Sequence, residues 1–228
     1  MKSVLIIIDE YGWAFDFVSQ GIVKHSGAFD YTVKKPIEIN SGDRHFDLVF
    51  VFNYPTWGFM GERRTWFEKT RRCIGVRTNP PDPRTIKAAS RFHAVGCNSL
   101  KSYNRLKEIH PDANNIYFTP NGIDVDIFQP TPRSGEAFKL GWAGAAEHPY
   151  KRVHLTRQLN YPVRVMCRRW GKYFTKGRSR KPMQRFYANI DCLVHTSNVE
   201  GMTSVAIEAA ACGLPIVATD VGDMAHSS

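Results

Sequence analysis

Nowhere does this sequence hold an unbroken apolar run near the ~18 residues that a membrane-spanning helix needs. The first apolar run, residues 4–8, is five residues long and passes straight into Asp9 and Glu10, too short for a span or for the core of a signal peptide. These absences make a cytoplasmic protein the expectation. Cysteine is sparse as well: Cys73, Cys97, Cys167, Cys192 and Cys212 are odd in number and widely spaced, with no CxxC or Cys/His spacing. That pattern argues against a zinc site and against a disulfide framework, and predicts reduced thiols packed in the core. Internal repeats and low-complexity segments are missing too. What is present is 43% hydrophobic and 12% aromatic residues in 228, enough to fill the core of one large domain or two small ones.

Acids are scarce in one region. Residues 133–185 hold fourteen Lys and Arg against Glu136 and Glu147, a local charge of +12, whereas the rest of the chain sums to −2. The excess is densest in "CRRWGKYFTKGRSRK" at 167–181. Such a block forms either a solvated face or a site for something anionic: nucleotide phosphates, nucleic acid or an acidic membrane surface. The aromatic-dotted segment 168–174 suits peripheral binding to anionic lipid without any spanning helix.

Apolar runs and amphipathic stretches alternate along the chain. Residues 3–9 form a continuous β-rich run, as in a parallel strand buried on both faces, followed by a loop and an amphipathic helix. Further strands are expected at 46–52, 73–78, 92–97 and 115–120, with helices at about 58–72, 83–90 and 99–109. Over 120–136 the composition turns to Pro, Gly and polar residues, a linker texture. A second series follows, with strands at 138–144, 163–168, 190–197 and 215–220 and helices near 150–159, 181–188 and 203–212. Two such series imply two doubly wound parallel-sheet domains, 1–131 and 132–228, with ligands at the carboxyl ends of the strands and a cleft between the halves.

Within the second series, "NVEGMTSVAIEAAACGLPIVATD" (198–220) sets two glutamates eight positions apart. Glu200 falls in the loop after a strand, where Gly201 allows a sharp turn and the start of the next helix offers free N–H groups to an anion. Glu208 falls inside that helix among small and apolar neighbours. A carboxylate so placed needs donors, and sugar hydroxyls are good ones; the alternative is an ordinary helix residue that reaches solvent.

The run 200–222 resembles the E-x7-E signature of glycosyltransferase family 4, and "TPNGIDVDIF" (119–128) is similar to that family's PNG(V/I)D…F linker segment. The resemblance is strong over about 115–225 and weak before it. It implies a GT-B-like α/β architecture, with two Rossmann-like doubly wound parallel-sheet domains facing a cleft. It also implies a retaining, metal-independent transferase that needs no cofactor beyond its nucleotide-sugar donor. Carried over by position, Glu200 contacts the transferred sugar and Glu208 the ribose hydroxyls, with the backbone of Gly201, Met202, Thr203 and Ser204 holding sugar and diphosphate. Gly144 and Lys151 keep the family's phosphate-side pattern, Lys151 stabilising the leaving phosphate, while Ala145 stands where the family has an Arg; Arg152 or a base from 168–181 is the candidate replacement.

In the first half, Gly12 and Trp13 replace a Gly-Gly loop, and Arg77 or Thr78 stands where many members have a His. His93 does not match that position and reads as structural. Asp9 and Glu10 are candidates for the acceptor side or for simple loop roles. Front-face retaining transfer asks for no dedicated protein base, so none is assigned. Members usually continue beyond the equivalent of "VATDVGD", so a minimal or truncated enzyme is expected.

The leading expectation is therefore a nucleotide-sugar-dependent hexosyl transfer to a hydroxyl of a glycan, a lipid-linked or a small-molecule acceptor. One variant modifies bases in DNA through residues 133–185, and an alternative is a non-catalytic sugar-nucleotide or nucleic-acid binding protein.

Overall fold

The computed structural model of the chain describes residues 1–78, 80–132, 137–167 and 180–224. It forms two compact units, Met1–Gly122 and Ile123–Ser228. The division lies upstream of the expected 131/132 boundary because Ile123, Ile127 and Phe128 pack into the second unit's hydrophobic cluster with Phe186, Tyr187 and Leu193.

The first unit is built on six strands: β1 (Ser3–Ile7), β2 (Asp30–Lys34), β3 (Leu48–Val51), β4 (Arg71–Val76), β5 (Ala94–Cys97) and β6 (Ile116–Phe118). They form one parallel sheet in the order β2-β1-β3-β4-β5-β6. Residues of β1 alternate between two cores, as the period of a strand requires. Leu5 and Ile7 enter one cluster with Val49, Phe67 and Leu106, while Val4, Ile6 and Ile8 enter another with Phe52. The second cluster lies under helix α1 (Ala14–His25), whose Phe15 ring stacks on Phe52 at 4.8 Å. Strand β2 was not anticipated. It sits at the sheet edge with no buried residue, so it lacks the apolar run that betrays a central strand.

The expected helix at 58–72 is replaced by α2 (Tyr54–Phe59) and a 3-10 stretch, Gly61–Phe67. Asn53 caps α2 through the Thr56 N–H, Pro55 fits its first turn, and Gly61 at φ 55° ends it. Helices α3 (Pro83–Ala88) and α4 (Leu100–Ile109) lie within a residue or two of the expected spans.

The second unit holds β7 (Leu140–Gly144), β8 (Val163–Cys167), β9 (Cys192–His195) and β10 (Ile216–Ala218), all parallel, in the order β10-β9-β7-β8. Helices α5 (Lys181–Tyr187) and α6 (Ser204–Ala211) accompany them. The helix expected near 150–159 is instead a pair of 3-10 turns, Pro149–Lys151 and Val153–Gln158, separated by Arg152 in the left-handed region at φ 46°. A non-glycine residue there interrupts an α-helical hydrogen-bond ladder.

None of the five cysteines is paired in a disulfide. Cys97, Cys192 and Cys212 are buried as expected, but Cys73 is only half-buried and Cys167, at the end of β8, is exposed. No helix among the described residues is long and apolar enough to cross a membrane.

The segment after β10 folds back onto the loop that carries Glu200. Asp223 N–H donates to the Gly201 carbonyl at 3.2 Å, and Gly222 holds φ 55° with its α-carbon against that same carbonyl. A Cβ on Gly222 would fall 1.6 Å from Gly201 O, a backbone atom with little room to move. Gly222→Ala is therefore expected to destabilise the chain by at least about 2 kcal/mol, read by urea or thermal unfolding; a change under about 0.5 kcal/mol would show that this loop closure is not held tightly.

Candidate functional site

In the second unit, strand order reverses between β7 and β9, since β8 lies beyond one and β10 beyond the other. Parallel sheets bind ligands at the carboxyl ends of strands beside such a reversal, because the following loops diverge there. Residues 144–152 leave β7 and residues 195–203 leave β9 at this place.

The two loops are tied together by side chains that donate to backbone carbonyls and by one backbone hydrogen bond. Trp142 Nε1 donates to the Thr196 hydroxyl at 2.9 Å, and that hydroxyl donates to the Lys151 carbonyl at 2.7 Å. Arg152 donates from Nε to the Thr196 carbonyl at 2.7 Å and from Nη2 to the Ser197 carbonyl at 3.1 Å, while Asn198 N–H reaches the Tyr150 carbonyl at 2.9 Å. The Arg152 guanidinium is thus engaged on carbonyls of the β9 loop. Arg152 and Lys151 are neighbours in sequence, but only Lys151 is brought to a site carboxylate.

Lys151 Nζ pairs with Glu200 Oε1, and both side chains are largely buried. His195 Nε2 comes within 3.5 Å of the same oxygen, and this buried imidazole (4% exposed) has no hydrogen-bond partner on either ring nitrogen among the described residues. Burial pushes the Glu200 carboxyl upward, but the nearby His195, the charge and hydrogen bond of Lys151, and the Ser197 hydroxyl outweigh it and lower its pKa to about 2. Burial, reinforced by Glu200 and Glu147, raises the neighbouring Tyr150 phenol, over whose ring Lys151 Nζ lies at 5.4 Å.

Glu208 is buried, which removes the reading of it as a solvent-reaching helix residue. Its Oε1 pairs with Arg180, and Tyr187 donates its hydroxyl proton to Oε2 at 2.8 Å. Burial lowers the Arg180 pKa, with Tyr187 opposing, and burial raises the Tyr187 phenol so that it stays a proton donor. Arg180 also lies over the Phe128 ring, 5.2 Å from its centroid. Tyr187 does not stand out in the sequence, and Arg180 stands there only as one base of the 168–181 stretch, a candidate for phosphate rather than for Glu208. The available signal was the rule that a buried carboxylate needs a charged or hydroxyl partner, but nothing in the text of α5 says which residue supplies it.

Between the glutamates, Gly201 and Thr203 are buried and Met202 and Ser204 partly so. Thr203 is the N-cap of α6 with no side-chain capping bond, and no acid stands in the first turn, which leaves the positive end of the helix dipole toward this loop. Gly144 ends β7, where a Cβ would sit 3.1 Å from the Trp142 ring.

The first unit's candidates belong to a separate compact body. Gly12 lies in the loop after β1, but its N–H donates to the buried Asp16 carboxylate at 2.6 Å, so that donor is occupied. Arg77 follows β4; burial lowers its pKa to about 10, its Nη1 donates to Asn121 at 3.1 Å, and it lies over Phe52 at 5.1 Å. His93 Nδ1 accepts from the Arg72 N–H at 3.1 Å, in keeping with a structural role. Asp9 and Glu10 accept from the backbone of their own loop, and Glu10 also meets Lys35 at 3.2 Å. Residues 168–179, the densest part of the basic block, lie outside the described residues.

Residues 132–227 match the model of a protein family described as glycosyl transferases, group 1. No curated protein matches the chain in sequence. Among solved structures, HepE from Anabaena in complex with UDP and glucose is similar at a TM-score of 0.67 and 13% identity, over 99% of this chain and 83% of that one. Sucrose-phosphate synthase from Thermosynechococcus elongatus is similar at 0.67 and 11% identity, over 98% of this chain and 82% of that one. A mutant of S. aureus TarM, in complex with Fondaparinux, alpha-GlcNAc-glycerol and UDP, is similar at 0.57 and 15% identity, over 77% of this chain and 42% of that one. At such identities the likeness speaks for the fold, and it extends over both sheets. Residues 132–227, which hold the paired glutamates at the strand reversal, thus match the group 1 glycosyl transferase model, in a chain whose two α/β units have the GT-B-type fold.

Proposed function

We propose that the chain transfers a hexose from a nucleoside-diphosphate sugar to a hydroxyl acceptor, with retention at the anomeric carbon, and that the donor binds at the β7/β9 reversal. The observation that carries this reading is the placing of the two glutamates, each held by a cation, on either side of the α6 start. In the proposed pose Glu200 accepts from hydroxyls of the sugar and Glu208 from hydroxyls of the ribose. The diphosphate lies on the Gly201–Ser204 backbone and the dipole of α6, near Lys151 and with Gly144 close behind. Lys151 faces the leaving oxygen, where negative charge develops as the glycosidic bond breaks. Uridine is the first nucleobase to test, since HepE and TarM are described in complex with UDP.

A thermal-shift panel of UDP, GDP, ADP and their common sugar conjugates tests the reading. A ligand of the folded state stabilises it by about 2.7 kcal/mol at a ~100-fold excess over Kd. One nucleotide is expected to shift the native chain and to outbind its 2′,3′-dideoxy counterpart, and Glu208→Gln is expected to narrow that preference. A native chain that no nucleotide shifts, and that forms no glycoside from any of the sugar conjugates, would overturn the donor site.

A carboxylate is the stronger acceptor for neutral hydroxyls, and the neighbours of Glu200 lower its pKa to about 2, which favours that form near neutral pH. A carboxyl lowered from 4.5 to about 2 on folding contributes stability that is complete above about pH 4.5 and drains away as pH falls toward 2. Native and Glu200→Gln chains are therefore expected to show a Tm gap that is constant from pH 7 to 5.5 and narrows from 4.5 to 3. A gap that stays the same across that acid range would show that Glu200 is not held as a carboxylate by its neighbours.

A further inference from the structure

The two ion pairs have a common construction. Each glutamate has a cation, Lys151 or Arg180, and a buried ring beside it, His195 for Glu200 and Tyr187 for Glu208, with the Ser197 hydroxyl also near Glu200. The cations end in flexible side chains that retain some exposure, 17% for Lys151 and 19% for Arg180. The further neighbours are fixed, His195 at the end of β9 and Tyr187 at the end of α5, and both are almost fully buried. Among the described residues neither His195 ring nitrogen has a hydrogen-bond partner, and its Nε2 stands 3.5 Å from the Glu200 carboxylate. Tyr187 already anchors Glu208, and its hydroxyl also reaches the Val205 carbonyl in the first turn of α6.

A nucleoside-diphosphate sugar brings both kinds of partner these pairs lack: neutral hydroxyls at its two ends and anionic oxygens in the middle. Resting on the donor-site reading above, we propose that both ion pairs open on binding, so that the diphosphate takes Lys151 and Arg180 while sugar and ribose hydroxyls take Glu200 and Glu208. The exchange conserves charge pairing, since each cation trades a carboxylate for a phosphate. It leaves neither carboxylate bare, because His195 and Tyr187 remain in place as the cations swing away. Arg180 thereby supplies a guanidinium for the diphosphate where Ala145 cannot, while Arg152 Nε and Nη2 stay engaged on the Thr196 and Ser197 carbonyls.

The exchange makes a prediction of opposite sign from a merely structural role. In the native chain an anion without hydroxyls must displace the glutamates unaided, so inorganic pyrophosphate binds weakly. Glu200→Gln and Glu208→Gln free the cations and are each expected to tighten pyrophosphate about tenfold, the scale of one charge-assisted hydrogen bond. The same variants lose discrimination: Glu200→Gln no longer prefers UDP-glucose to UDP, and Glu208→Gln no longer prefers UDP to its dideoxy form. Lys151→Gln and Arg180→Gln are expected to weaken pyrophosphate about tenfold, and they supply the test at Glu208 should Glu208→Gln fail to fold.

Isothermal titration of the full chain and these variants with pyrophosphate, UDP, its dideoxy form and UDP-glucose separates the outcomes. If the native chain binds UDP while the glutamine variants bind pyrophosphate no better than it does and the cation variants lose nothing, the exchange is overturned and the donor site stands. Where pyrophosphate tightens as expected but no nucleotide binds any form, the exchange holds for an anion site and the nucleotide reading falls. Should neither pyrophosphate nor nucleotide bind any form, both are overturned.

Discussion

A carboxylate cannot be left alone inside a protein, and Glu208 is the place where that rule shapes this one. Taking an ionised group out of water costs several kcal/mol unless charge and hydrogen bonds replace the solvent. Helix α6 is made of small and apolar residues that let it lie close on β9 and β10, and those residues offer nothing to an acid. The partners have to come from outside the helix. Arg180 and Tyr187, from the start and end of α5, supply them, so the packing of α5 against α6 is fixed by a polar contact set in an apolar cluster. Removing one member would leave another unpaired, which makes the cluster a specifying feature of the fold as much as a stabilising one.

Glu200 solves the same problem in looser surroundings. It sits beyond the carboxyl ends of the two central strands, keeps some exposure, and is served by groups from two places: Lys151 after β7 and His195 at the end of β9. These loops meet because β7 and β9 are adjacent and the order of strands reverses there. The topology thus brings the charges together, and the charges in turn hold the loop ahead of α6 at a defined place.

Much of this was legible in the sequence. Strands buried on both faces announce themselves as continuous apolar runs, which is why β1, β3, β4, β7 and β9 were found with small errors at their ends. The edge strand β2 was invisible because half of its environment is water, and the helix expected after residue 150 was lost to one residue, Arg152, in a conformation that no helical periodicity reveals. At the site, the spacing of Glu200 and Glu208 and the position of Lys151 were readable through the family resemblance. Their partners were not. Tyr187 and His195 are ordinary letters in ordinary contexts, Arg180 is one base among several in 168–181, and only the three-dimensional neighbourhood pairs them with the glutamates. The first half of the chain was the least legible, and the occupied N–H of Gly12 shows why: whether a loop glycine offers its backbone outward depends on an acid four residues on.

Arg152 carries one further implication. Held in the left-handed region with its guanidinium bracing two successive carbonyls of the neighbouring loop, it acts as a strut between the ends of β7 and β9. The loops bearing Lys151 and Glu200 therefore move as one rigid jaw. A ligand that shifts one of them must carry the other along, so adjustment at this site falls to side-chain rotation over a backbone that serves as a fixed reference frame.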